Sequence, residues 1–117
     1  TVIAAGITVH EALKACDILK KEGFGLRVVD AYSVAPLDGA GILREVAETG
    51  GLAIVVEDHY AAGGLGEAVA EALAGKAALT HLCIRELPRS GKPDELLERF
   101  GISAAHIVRA AKELAGR

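Results

Sequence analysis

The sequence has no methionine, only 3% aromatic residues, two cysteines and no basic excess, and each shortage narrows what the chain can be. With so few rings, a hydrophobic fraction of 51% must be supplied by Val, Ile, Leu and Ala, which favours close-packed helices on a sheet. Cys16 and Cys83 each stand at an apolar position of a periodic segment, as small hydrophobes would, so no disulfide is expected. A formal net charge of -3 offers polyanions no general attraction and argues against nucleic-acid binding. Apolar runs reach only strand length, and the N-terminus lacks the basic-then-apolar layout of a signal peptide. No membrane association is expected, and the sequence reads as that of a soluble protein of a reducing compartment, the cytoplasm. With no methionine, and with Thr1 opening directly into a strand-like run, it reads as a fragment of a longer chain.

What is present fits one domain spanning residues 1–117, large enough to bury roughly two-thirds of the surface of its unfolded form. Val2 to Ala5 is a continuous apolar run that suits a strand buried on both faces. Thr8 precedes Glu11 by three, the spacing of a capping box, and Val9, Ala12, Leu13, Cys16 and Leu19 recur on one helical face until Gly23 and Gly25. Leu26 to Val29 predicts a second strand, and Asp38 an N-cap for a helix burying Ile42, Leu43, Val46 and Ala47. Leu52 to Val56 predicts the third strand, at the centre of the sheet, closing on Glu57 and Asp58. A Gly-rich turn leads to a helix over Glu67 to Leu73, buried except along the stripe of Glu67 and Glu71. A fourth strand is expected from about Thr80 to Ile84, and then a polar loop over 88–92. Two closing helices follow, one starting at Pro93 and ending at Gly101, the other capped by Ser103. Strands alternating with helices specify an α/β fold in three layers with a mostly parallel sheet.

The strongest local signal is Glu57-Asp58-His59-Tyr60 followed by Gly63-Gly64-Leu65-Gly66, where a strand ends in acids and a Gly-rich turn enters a helix. Backbone N–H groups at Gly63, Gly64 and Gly66 could approach an anion, with His10 and His59 beside them if the first and third strands are neighbours. The glycines could equally serve positive φ and close helix-to-strand packing. The spacing G-G-x-G after the third strand does not meet the dinucleotide fingerprint, and Glu57 and Asp58 would repel an anion. A metal held by His10, His59 and Asp58 matches no compact ligand spacing, so hydrogen-bonded structural histidines are preferred. His81 and His106 read as structural, and no G-x-S-x-G elbow surrounds Ser33, Ser90 or Ser103. Arg85, Arg89 and Lys92 surround Ser90 and Gly91 as a candidate phosphate or interdomain patch of Arg89, Ser90 and Lys92. Asp94 and Glu95 already occupy the positive end of the next helix, which favours the interdomain reading.

Taken together, these segments resemble the C-terminal domain of transketolase over essentially the whole chain. The resemblance rests on Gly6-Ile7-Thr8-Val9-His10-Glu11-Ala12, on Arg27-Val28-Val29-Asp30 with Ala35-Pro36-Leu37-Asp38, and on the Glu57 to Val69 block. It rests further on Pro88-Arg89-Ser90-Gly91-Lys92-Pro93, with Glu95-Leu96-Leu97 and Phe100-Gly101-Ile102. The last two blocks are most similar to the short animal and archaeal-like type, which includes forms split into two polypeptides. The resemblance implies strand order 2-1-3-4, with an antiparallel edge strand from before Thr1 missing, so that the second strand presents an open edge. It implies a homodimeric parent enzyme of the pentose phosphate pathway that moves a two-carbon ketol unit from a ketose phosphate to an aldose phosphate. That enzyme uses thiamine diphosphate and a divalent metal held by its other domains. No catalytic, cofactor or metal residue carries over to this domain, which is expected to be inactive alone and to support the dimer.

Related domains end 1-deoxyxylulose-5-phosphate synthase and the beta subunits of 2-oxoacid dehydrogenases, but the Arg89-Ser90-Gly91-Lys92-Pro93 block argues for transketolase. A stand-alone anion-binding module around His10, His59 and Gly64 is the rival of a different kind. A self-contained enzyme would need an acid, base or nucleophile constellation that the residues do not assemble.

Overall fold

Val2, Ile3 and Ala4 are fully buried, so the first strand is covered on both faces. The computed structural model describes residues 1–87 and 90–116. Its elements are β1 (Val2–Ala4), α1 (Ile7–Lys21), β2 (Val28–Asp30), α2 (Gly39–Glu48), β3 (Leu52–Tyr60), α3 (Leu65–Leu73), β4 (Ala78–Ile84), α4 (Pro93–Arg99) and α5 (Ala104–Leu114). The strands form one sheet in the order β2-β1-β3-β4, and every pairing is parallel.

Strand alternation divides the core between the two faces. Val2, Ala4, Ile54 and Val56 meet α1, α4 and α5 through Ala12, Leu19, Leu97 and Ile107. Ile3, Ala53 and Val55 meet α2 and α3 through Ile42, Val46, Val69 and Leu73. The result is the expected three-layer α/β/α arrangement, with β1 and β3 inside. β2 is an outermost strand, flanked by a recess of about 670 Å³ along Val28, Asp30, Tyr32, Pro36, Ile42 and Arg44.

Several details differ from the sequence expectations. α1 begins at Ile7 after Gly6, whose φ of 60° turns the chain out of β1, so Thr8 lies inside the first turn and no capping box forms. The Thr8 hydroxyl points into the sheet instead and donates to the Val56 carbonyl at 2.9 Å. Along α1 the buried stripe contains Ala15 and not Leu13, which is 50% exposed. In α2, Asp38 caps as expected by accepting from the Gly41 N–H at 3.0 Å, but Ala47 faces solvent.

β3 is longer than the expected run of 52–56, because the backbone stays extended through Glu57 to Tyr60 with a break in its register against β4. α3 starts two residues earlier than expected and rests on the sheet through Leu65, Gly66, Val69 and Leu73, leaving Ala70 exposed beside Glu67 and Glu71. Ser103 stands at the N-cap of α5 without a side-chain cap bond, and both cysteines are free thiols.

Candidate functional site

In open parallel sheets, ligands bind beyond the C-terminal ends of the strands where the connections diverge, here between β1 and β3. Glu57 stands in the C-terminal half of β3, and the residue is 4% exposed. Its Oε1 accepts from the Leu65 N–H at 2.9 Å, and its Oε2 from the Gly66 N–H at 2.6 Å. A third donor, His81 Nε2, lies 2.6 Å from Oε2. The positive end of α3 therefore holds an anion, and that anion is the protein's own carboxylate.

This latch explains the Gly-rich turn. Gly63 turns the chain with a φ of 75°. A Cβ on Gly64 would overlap the Glu57 carboxylate, and one on Gly66 would overlap the His81 ring. Two of the three glycines thus allow the contacts of Glu57, whose three donors make it a stitch between β3, β4 and α3 rather than a free base.

Next to it, between β1 and β3, the buried Thr8 hydroxyl shares its one proton between the carbonyls of Ala5 and Val56 and accepts from the Ala5 N–H. His59 is exposed at the end of β3, with Nδ1 2.9 Å from the Tyr60 carbonyl and 3.8 Å from Glu57. His10 is exposed on α1 and takes no part in the latch. No group of three or more metal-ligating side chains is assembled among the described residues. In the second patch, Ser90 and Lys92 are exposed, while Arg89 lies outside the described residues. Ser90 and Gly91 border a shallow recess with Glu95, Leu96 and Arg99.

Two polar residues organise the domain through partners that sequence reasoning did not identify. One is His81, the partner of Glu57. The other is Glu11, 6% exposed, which accepts from the Ala104 N–H at 3.2 Å and from Lys14 at 2.8 Å. Glu11 thereby supplies the α5 cap that Ser103 does not, because the Ser103 hydroxyl is engaged by Glu98 and His106. The parallel register was the signal for His81. It pairs with Val55, so His81 and Glu57 face the same side of the sheet, under α3.

The architecture and the carboxylate seated on the α3 N-terminus define a three-layer parallel α/β domain. Comparison with known proteins gives the family. The model described as transketolase, C-terminal domain, matches residues 1–107. Bovine (Bos taurus) transketolase-like protein 1 is 50% identical over 116 residues, covering 97% of this chain and 20% of that protein. Human (Homo sapiens) transketolase is 48% identical over 116 residues, covering 97% of this chain and 19% of that protein. A solved structure described as split gene transketolase, inactive beta4 tetramer, superposes with a TM-score of 0.87 at 33% identity, over 98% of this chain and 38% of that one. The chain belongs to the transketolase C-terminal domain family, and it spans about a fifth of the length of the curated relatives it matches.

Proposed function

We propose that this chain, as a single domain over 1–117, is the C-terminal assembly module of a cytoplasmic transketolase. It would dock against the remaining domains and support pairing with a second subunit. In the parent enzyme, thiamine diphosphate and a divalent metal supply the carbanion chemistry of ketol transfer in the pentose phosphate pathway. The residues of this chain do not fit that cofactor: it has no G-D-G motif and no asparagine anywhere.

The observation that carries the reading is the latch. At the place where this fold would receive a ligand, Glu57 and the α3 N–H groups are committed to one another, so the polar machinery there maintains structure. Among the described residues, no helix is long and apolar enough to cross a membrane. Tyr32, 93% exposed, and Val34 stand beside the open β2 edge and give the module an apolar surface for a neighbouring domain.

The test is ketol transfer measured with thiamine diphosphate and magnesium, for the chain alone and mixed with the other domains of its parent enzyme. Inactivity alone with activity or tighter dimerisation on mixing is expected. Turnover by the chain alone overturns the reading.

A further inference from the structure

A second concave site lies at the far end of β4, next to the latch through His81 but with its charged lining drawn from other residues. Its recess of about 350 Å³ is lined by His81, Cys83, Arg85, Glu86, Arg99 and His106 among others. Three elements converge there. Arg85 follows the last residue of β4, Arg99 is the last residue of α4, and His106 lies in the first turn of α5.

The two guanidiniums are only lightly engaged. Arg85 gives one bond to the His81 carbonyl at 3.1 Å, and Arg99 approaches Glu86 at 3.7 Å with both side chains about half exposed or more (47% and 63%). A pair that long and that open is cheap to separate. His106 is held by its Nδ1, 2.8 Å from the Ser103 hydroxyl, which donates to Glu98 at 2.7 Å, and its ring forms one wall of the recess.

We propose that this recess binds phosphate, free or as a small phosphate monoester, with Arg85 and Arg99 as the paired ligands and His106 as the orienting wall. Forked guanidiniums match phosphate oxygens two at a time, whereas a carboxylate offers only one edge. The volume admits a phosphate and a short carbon chain, at the small end of ligand pockets, which run from about 300 Å³ upward. Glu86 is its internal competitor, screening Arg99 until an anion displaces it.

The test is titration of the 117-residue chain with inorganic phosphate and separately with glycerol 3-phosphate, followed by ¹H–¹⁵N spectra, with glycerol as the uncharged control. Saturable shifts confined to residues around Arg85, Arg99 and His106 are expected. Tighter binding of the ester assigns the monoester, and equal binding assigns free phosphate. Arg85→Gln with Arg99→Gln should weaken binding by about tenfold or more. Glu86→Gln should tighten it, and Lys92→Gln should leave it unchanged. Both arginines are exposed, so the spectra of the double variant should stay folded. Absence of saturable shifts in the millimolar range, or binding that survives the double variant, overturns the proposal.

Discussion

Glu57 Oε2 and His81 Nε2 lie 2.6 Å apart across the β3–β4 pair, although 24 residues separate them in the chain. Two α3 N–H groups complete the shell of the carboxylate of Glu57, a residue that is 4% exposed. Truncation by Glu57→Ala strands those donors, and leaving buried polar groups unpaired costs far more than a single net hydrogen bond. The expected loss is about 3 kcal/mol, read as a lower urea midpoint at unchanged slope. A loss under about 1 kcal/mol would mean that water replaces the carboxylate and that the latch is not what holds α3.

Gly66 offers a sharper test because its local and tertiary preferences conflict. Inside α3, alanine should favour the helix over glycine by about 1 kcal/mol. The added Cβ, however, would overlap the His81 ring. The prediction is that Gly66→Ala destabilises the domain by about 1 to 3 kcal/mol. In a His81→Ala background the same change should become neutral or stabilising, and the difference between the two backgrounds isolates the contact. Equal effects in both backgrounds would assign the glycine to some other constraint.

Glu11 links α1 to the start of α5 across 93 residues of sequence. Replacing it with alanine removes the acceptor of the Ala104 N–H and the partner of Lys14. The expected cost is about 1 kcal/mol, with faster amide exchange confined to the first turn of α5. Ser103→Ala should spare the Ala104 amide, because the Ser103 hydroxyl is engaged with Glu98 and His106. Faster Ala104 exchange in the serine variant than in the glutamate variant would reverse the assignment of the cap.

The strands, their order and the paired layers were legible because apolar runs and glycine stops are local signals, and the family resemblance supplied the order. The Gly63 to Gly66 turn was also legible as a place of close approach. What approaches it was not, since His81 reads as one polar residue in an apolar strand until β4 is laid beside β3. Glu11 was misread for a related reason. Three residues after Thr8 it fits a capping box, and only the packing of α5 on α1 reveals that its carboxylate caps a different helix. Leu13 and Ala47 were assigned to buried stripes on helical period alone, which cannot tell how wide a face the sheet covers.

When the 117-residue chain is prepared with Thr1 as its first residue, the Thr1 amine gives a pH dependence whose sign can be worked out. Its free amine donates to Thr49 Oγ1 at 3.2 Å and the Leu52 carbonyl at 3.0 Å, and the residue is 8% exposed. Burial first, and then the nearby Arg27 charge, lower the amine from its ordinary 8.0 to about 6. Between those values the unfolded chain binds the proton and the folded chain does not. Above pH 8 the amine is neutral in both states and carries no penalty. As the pH falls from 8 to 6 the folded state loses stability, by an amount on the order of 2 kcal/mol, and below pH 6 this contribution is constant. Urea unfolding of the chain with its amine at Thr1 should therefore show a falling midpoint over that window. Adding one residue before Thr1 turns the amine into an uncharged amide, and the slope between pH 6 and 8 should then shrink. An unchanged slope would rule out the Thr1 amine as its source.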